Sequence, residues 1–99
     1  MMVEESGPEA RLHAVVHGYV QGVNFRYYTI RAAQQLGLTG WVANRSDGAV
    51  ETIAEGKRQS LDEFAAFLHR GSPSSVVRRV NVEWGTPTAE FTNFRVRYL

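Results

Sequence analysis

Residues 18–26, Gly-Tyr-Val-Gln-Gly-Val-Asn-Phe-Arg, combine residue types that bind an anion through the backbone. Gly18 and Gly22 follow an alternating apolar run, and Arg26 closes the segment where a helical pattern begins. Glycines leave room for backbone N–H groups to turn inward, and the N-terminus of a helix adds about half a positive charge. Arginine supplies a planar, permanently charged fork of donors. The combination suits a tetrahedral dianion such as phosphate.

This segment also has a simpler interpretation, as a tight strand-to-helix turn followed by a solvated arginine. The strand pattern before it and the arginine at the helix start favour the anion site. Asn44 is the second candidate, because an amide can donate and accept hydrogen bonds without titrating. Its position before a hairpin turn, taken alone, favours a local hydrogen-bonding role in that turn.

The strands that position these residues are indicated by alternating apolar positions. The first is predicted at 11–17, with Leu12, Ala14 and Val16 on one face. Further strands are predicted at 39–44, at 49–55 after the hairpin turn Asp47-Gly48, through Val80, Val82 and Trp84, and through Phe94, Val96 and Tyr98.

Two helices are predicted between these strands. Asn24 can cap a helix that runs to about Leu36, with Phe25, Tyr28, Ala32 and Leu36 on its inner face and Gly37 after its end. Residues 60–63, Ser-Leu-Asp-Glu, have the form of a capping box. The helix after them presents Leu61, Phe64, Ala65 and Leu68 on one face and ends near residues 71–73.

The order βαββαβ plus a short C-terminal strand predicts an α+β, ferredoxin-like two-layer sandwich, with two helices on one face of an antiparallel sheet. A strand–helix–strand crossover makes the first two strands parallel, so their C-terminal ends lie at the same edge. The first of these strands ends at the glycine loop and the second at Asn44. We therefore expect the loop and Asn44 to form one site.

Composition limits the possible functions. The 99 residues suit one domain, with residues 1–10 predicted to be a flexible tail. The net charge of +1 does not indicate nucleic acid or a membrane as partner. The absence of cysteine excludes thiolate catalysis and cysteine-ligated zinc. No apolar stretch could span a bilayer or act as a signal peptide, so we expect a cytoplasmic protein.

Two stretches of this sequence resemble the signatures of the acylphosphatase family. Residues 16–26 resemble the first signature, and Gly40-Trp41-Val42-Ala43-Asn44 with Gly48, Val50 and Gly56 resembles the second. The resemblance covers residues 11–99, the predicted acylphosphatase-like domain, including residues 93–98. It implies that Arg26 is the catalytic, phosphate-binding arginine and Asn44 the catalytic asparagine. It also implies a small cytosolic monomer, without metal or other cofactor, that hydrolyses the carboxyl–phosphate bond of acyl phosphates.

This chemistry is consistent with so few functional groups. A carboxylate leaving group, with a pKa of roughly 4, departs without a general acid. Phosphoryl transfer then requires mainly positioning and charge stabilisation. We expect Arg26 and the backbone N–H groups of the loop to bind the phosphoryl oxygens, while Asn44 orients the attacking water. The loop residues are Gln21, Gly22, Val23, Asn24, Phe25 and Arg26. Inorganic phosphate or sulfate is then a product-like ligand.

The main alternative is a non-enzymatic ferredoxin-like module that binds RNA or a regulatory anion. RNA-binding versions stack bases on aromatic residues of the central strands, and the predicted first and third strands contain none. A protein that senses an anion remains an alternative, because the same loop would bind the anion. Turnover of an acyl phosphate distinguishes an enzyme from such a sensor. His13 and His17 share one face of the first strand, but no carboxylate is spaced to complete a metal site with them. Arg78-Arg79 is too short for a nucleic-acid patch.

Overall fold

The computed structural model describes residues 7–99, which form five strands and two helices. In chain order the elements are β1 (Glu9–Tyr19), α1 (Phe25–Gln35), β2 (Thr39–Asn44), β3 (Val50–Lys57), α2 (Arg58–Arg70), β4 (Val76–Gly85) and β5 (Phe94–Val96). The strands form one sheet in the order β4-β1-β3-β2-β5. The predicted ferredoxin-like α+β fold is confirmed. In the part of the chain described, neither helix is long and apolar enough to cross a membrane.

The sheet places the ends of β1 and β2 side by side, as the crossover argument predicts. Both strands pair antiparallel with β3, so they run parallel to each other with β3 between them. Val50 of β3 lies opposite Val16 of β1 on one side and Asn44 of β2 on the other. At about 4.8 Å per strand, Val16 and Asn44 are separated by about 10 Å. The short β5 pairs parallel with β2, so the sheet is mixed rather than wholly antiparallel.

The core lies between the helices and one face of the sheet. The three residues predicted for the inner face of β1, Leu12, Ala14 and Val16, are fully buried there. In α1 the buried positions are Phe25, Thr29 and Ala33, whereas Tyr28 is 37% exposed. The prediction for Tyr28 was wrong because, at 100° per residue, this position falls at the margin of the stripe that faces the sheet. Ala32 and Leu36 pack partly buried against the core.

Helix α2 buries the predicted Leu61, Phe64 and Leu68, with Ala65 partly buried, and also buries Phe67. The capping-box prediction was wrong: the helix starts at Arg58, and its N-cap position is Lys57. Ser60 therefore lies inside the first turn. The reason is that β3 leads directly into the helix, where the Arg58 N–H donates to the carbonyl oxygen of Pro8.

Several strand limits differ from the predicted ones because pairing with neighbours extends or truncates them. Glu9 and Ala10, predicted to belong to the tail, pair with β3 in the sheet. Residues 1–6 of the predicted tail lie outside the described residues. At the other end of the chain, β5 stops at Val96, and Tyr98 is 84% exposed. Trp84, near the end of β4, is 39% exposed, and the Arg58 guanidinium lies 3.6 Å from its ring centroid.

The face of the sheet opposite the helices is partly covered by residues 86–93, which connect β4 and β5. Trp41, Ala43 and Ile53 form a second buried cluster, and Phe91 of the connection packs against it. The adjacent carboxylate of Glu55, only 4% exposed, accepts hydrogen bonds from the N–H groups of Thr88 (2.9 Å) and Ala89 (3.0 Å). It also forms a 2.6 Å ion pair with Arg11. Glu55 thus fastens the connection to the sheet.

Two opposing effects set the pKa of Glu55. Burial alone raises it, but the hydrogen bonds from Thr88, Arg11 and Ala89 together outweigh burial and hold the pKa below its ordinary value of 4.5. A carboxylate whose pKa is lower in the folded state than in the unfolded state stabilises the fold at pH values above its unfolded-state pKa. That stabilisation is lost as the pH falls through the folded-state pKa.

We predict that Glu55→Gln lowers the free energy of unfolding at pH 7 by about 2–3 kcal/mol, because Arg11 and two backbone donors lose their charged acceptor. The difference from wild type should shrink as the pH falls below about 4.5, because the Glu55 carboxylate of the unfolded wild-type chain then takes up a proton before that of the folded protein does. Urea unfolding at pH 7 and at lower pH measures both effects. A mutant as stable as wild type at pH 7 would show that the Glu55 carboxylate does not hold the connection.

Candidate active site

The ends of β1, β2 and β5 and the start of α1 surround a pocket of about 400 Å³. Its lining includes Arg26 and Asn44, the two side chains singled out from the sequence. Gly22, Asn24 and Phe25 of the predicted phosphate loop also line the pocket, whereas Gln21 and Val23 do not. The fold therefore brings the two predicted segments together, although they come from different motifs.

The loop between β1 and α1 has an unusual backbone conformation at two positions. Gly22 has φ +77°, and Asn24 has φ +61° and ψ +24°, both in the left-handed region. Alternation of left-handed with other residues is the pattern of an anion-binding nest. Asn24 occupies the N-cap position of α1 but makes no side-chain capping bond, so that prediction was wrong. Side-chain capping needs an extended backbone at this position, and the left-handed one directs the side chain elsewhere.

The backbone N–H groups of residues 21–26 donate to no other group among residues 7–99. The first hydrogen bond into α1 runs from the Tyr28 N–H to the Asn24 carbonyl oxygen, at 3.1 Å. The loop and the first turn of the helix therefore present a run of unused donors beside the pocket. Unused donors at a helix N-terminus attract an anion.

Arg26 is half-buried at the start of α1, and its charge is not neutralised by any carboxylate of the described residues. Its guanidinium carbon lies 5.9 Å from the ring centroid of Tyr98, near the outer limit of a cation–π contact. None of the described residues that line the pocket is acidic. The pocket is thus electropositive, and the donors of Arg26 are available to a ligand.

Asn44 carries the clearest anomaly of the site. Its Oδ1 atom is buried and accepts no hydrogen bond from any residue in the range 7–99. Leaving a buried acceptor unpaired costs about 1–3 kcal/mol, so such atoms are rare outside functional sites. A local role in the turn, the simpler interpretation of Asn44, would have given this oxygen a backbone partner. Asn44 thus combines a place in the pocket lining with an acceptor that no described residue uses.

Gln21 joins the loop to the hairpin that follows Asn44. Its Nε2 donates to the carbonyl oxygens of Arg45 (2.8 Å) and Ala49 (2.9 Å), which are the two ends of the β2–β3 turn. The turn itself is closed by the Arg45 N–H, which donates to the Ala49 carbonyl oxygen. This function of the Gln21 side chain was not predicted, because nothing in the sequence indicates which carbonyls face it. The contact fixes the loop relative to Asn44.

The Asp47-Gly48 turn, predicted from the sequence, is held by its own side chains. Asp47 accepts a hydrogen bond from the Ala49 N–H at 3.1 Å and one from Arg45 at 2.9 Å. The Ala49 N–H and then Arg45 hold the pKa of Asp47 below its ordinary value. Arg45 is thereby engaged at the turn.

On the sheet surface, His13 lies close to carboxylates from other strands. Its Nε2 lies 2.7 Å from Glu51 and its Nδ1 3.6 Å from Glu83, so β3 and β4 each contribute a partner. These contacts follow from cross-strand register, which local spacing in the sequence does not show. Among residues 7–99 no group of three or more His, Cys, Asp and Glu side chains is arranged to hold a metal ion.

We predict that Gln21→Ala lowers kcat/KM for an acyl phosphate by about tenfold, because the loop and Asn44 lose their direct connection. A displacement of about 1 Å near the reacting groups is sufficient for losses of this size. The matched control is Gln34→Ala, which removes an exposed glutamine from α1. Steady-state kinetics of both variants measure the effect. Equal kcat/KM values in the two variants would show that the Gln21 contact does not position the site.

Comparisons with known proteins agree on one family. The family model described as Acylphosphatase matches residues 12–96. An acylphosphatase of Pelotomaculum thermopropionicum is 44% identical over 89 residues, covering 90% of this chain and 97% of the relative. The crystal structure of acylphosphatase from Bacillus subtilis superposes with a TM-score of 0.87 at 37% identity, covering 90% of this chain and 99% of that one.

A part of a much larger protein is also similar. Full-length HypF, solved in a phosphate- and nucleotide-bound form, matches with a TM-score of 0.81 at 26% identity. The match covers 91% of this chain but 12% of HypF. The same fold therefore occurs as a small part of that protein.

Proposed function

The chain belongs to the acylphosphatase family and is an enzyme that hydrolyses acyl phosphates, and from that premise we propose how its pocket performs the reaction. Arg26 and the N–H groups of residues 21–26 bind the phosphoryl group, and Asn44 orients the attacking water. The observation that supports the proposal is that one pocket is lined by Arg26 and by Asn44, whose Oδ1 has no donor among the described residues.

Binding depends on charge and on donors that are already in place. The phosphoryl group of an acyl phosphate carries negative charge on its non-bridging oxygens, and the pocket offers a guanidinium, unused N–H groups and no acidic side chain among the described residues. A guanidinium can contact two oxygens of the group at once. As the bond to the leaving group lengthens, charge spreads over the equatorial oxygens that these donors contact. Inorganic phosphate and sulfate fit the same donors as product-like ligands.

The attack on phosphorus requires an oriented water rather than a strong base. The Oδ1 of Asn44 can accept a hydrogen bond from this water, which turns a water lone pair toward the phosphorus, opposite the leaving carboxylate. The carboxylate departs as an anion without a general acid. The proton from water passes to a phosphoryl oxygen. Water adds its oxygen to phosphorus, so the products are a carboxylate and inorganic phosphate.

An anion-binding module without turnover is the second candidate, since the same donors would serve it. Asn44 favours the enzyme. The side-chain N–H of Asn44 could bind phosphate in either case, but its Oδ1 atom, which has no donor among the described residues, repels an anion at close range. It becomes useful where a water molecule must be held beside the anion. RNA binding is disfavoured because β1 and β3 together carry one aromatic residue, Tyr19 at the last position of β1, which is too few for a platform of stacked bases.

The family resemblance implies a setting for this reaction. We propose that the protein acts in the cytoplasm as a monomer, on small acyl phosphates and not on nucleic acids or membranes. The pocket needs no metal ion in this mechanism, because Arg26 and the helix N-terminus already supply the positive charge.

We predict that Arg26→Ala and Asn44→Ala each lower kcat for benzoyl phosphate by at least about 10². Arg26→Ala removes the positive charge that binds the phosphoryl group, and Asn44→Ala removes the hydrogen-bond acceptor for the attacking water. Arg31→Ala and Asn81→Ala are matched controls on exposed positions outside the pocket and should retain wild-type kcat. A fully active Arg26→Ala or Asn44→Ala variant would remove that residue from the mechanism.

We predict that benzoyl phosphate is hydrolysed at the same rate with and without a chelator such as EDTA, because no step uses a metal ion. Phenyl phosphate should be turned over at least about 10³ times more slowly, since its phenolate leaving group, with a pKa near 10, needs a proton that the pocket does not provide. Stopped-flow or spectrophotometric assays on one enzyme preparation compare the three conditions. Loss of activity in EDTA, restored by a divalent ion, would contradict the mechanism.

A further inference from the structure

Ser72 lies in the short segment between α2 and β4, outside both stretches that resemble family signatures. Its side chain is buried, with the residue 3% exposed, and its Oγ donates a 2.8 Å hydrogen bond to the carbonyl oxygen of Val23. Val23 belongs to the loop beside the pocket, although Ser72 itself does not line that pocket. The contact joins the back of the loop to a segment that is distant in sequence.

The backbone of Ser72 is fixed in turn by Ser75. The Oγ of Ser75 donates to the Ser72 carbonyl oxygen at 2.7 Å, and the N–H of Ser75 donates to the same oxygen at 3.0 Å. Gly71, at φ +76°, turns the chain out of α2 immediately before Ser72. A side chain at Gly71 would come within 3 Å of the Phe25 ring, so this turn packs directly on the start of α1. Ser72 is therefore held on a rigid support.

The hydrogen bond from Ser72 to the Val23 carbonyl oxygen also determines the direction of the Asn24 N–H, which belongs to the same peptide group. In a trans peptide the carbonyl oxygen of one residue and the N–H of the next point in opposite directions. Binding the Val23 carbonyl from the buried side therefore directs the Asn24 N–H away from Ser72. Asn24 lines the pocket, and its N–H donates to no other described residue.

We propose that Ser72 is a positioning residue for phosphate binding: it orients the Val23–Asn24 peptide so that the Asn24 N–H faces the phosphoryl group. The assignment rests on the proposed function of the pocket. Asn24 is in the left-handed region, which a residue other than glycine adopts at a cost, so the peptide needs an external contact to keep this orientation. Ser72 provides that contact.

The test is Ser72→Ala, which removes the hydroxyl and adds no atom to the buried segment. We expect KM for benzoyl phosphate and the inhibition constant of inorganic phosphate each to rise about tenfold, the usual worth of one hydrogen bond to a charged group. We expect kcat to change less than about threefold, because the Asn24 N–H binds the phosphoryl group in both ground state and transition state. This pattern differs from that of Asn44→Ala, which should lower kcat.

Thr52→Val is the matched control. Thr52 is fully buried, and its Oγ1 donates to the Trp41 carbonyl oxygen at 2.7 Å, so this variant also removes one buried hydroxyl from one backbone carbonyl. It should lower the unfolding temperature as Ser72→Ala does but leave the phosphate inhibition constant unchanged. If Ser72→Ala also loses stability without any change in KM or in phosphate inhibition, Ser72 is only structural and the assignment is overturned.

A measurement that does not depend on turnover separates this assignment from the proposed function. In a phosphate titration followed by ¹H–¹⁵N NMR, we expect a large shift of the Asn24 amide signal in wild type and a much smaller one in Ser72→Ala. If the wild-type protein gives the larger shift but hydrolyses no acyl phosphate, the proposed function is overturned, whereas the role of Ser72 in orienting the Asn24 N–H is supported. Equal shifts in both proteins would overturn the role of Ser72 and leave the proposed function standing.

Discussion

The proposed active site of this protein depends on backbone N–H groups that have no partner among the described residues. Unpaired donors are costly, and a loop that keeps several of them cannot be stabilised by its own hydrogen bonds. The loop of residues 21–26 is instead held by contacts from its neighbours. Gln21 binds the carbonyls of the β2–β3 turn, and Ser72 binds the carbonyl of Val23. These contacts leave the N–H side of the backbone free for an anion.

The arrangement of the sheet explains why such a small protein can support this site. Because β1 and β2 are parallel neighbours of β3, the loop after one and the asparagine at the end of the other meet at one edge. The rest of the sheet is stabilised at a distance from the pocket, by the core on the helix face and by Glu55 and Phe91 on the opposite face. The fold whose stability comes from these other contacts thus carries the N–H groups and the Asn44 oxygen that lack a partner among residues 7–99.

The chemistry explains why few functional groups are sufficient. An acyl phosphate already has a good leaving group, so the enzyme has to hold the phosphoryl oxygens and orient one water. In the proposed mechanism Arg26 contributes permanent charge, and Asn44 contributes a neutral acceptor for the incoming water. In this mechanism neither group acts as a general acid or a general base.

The sequence by itself determined the fold class, the inner residues of β1 and the hairpin at Asp47-Gly48. It also determined that Arg26 and Asn44 line the same pocket. Periodicity, turn residues and connectivity are local or topological properties, so the sequence contains them. It misplaced the start of α2, the side chain of Tyr28 and the capping role of Asn24, where tertiary contacts override local preference. Only the tertiary structure decided the positions of Gln21, Ser72 and Glu55 against backbone groups far away in the chain. Such contacts depend on which atoms face each other across packed elements, and no spacing within the sequence records that.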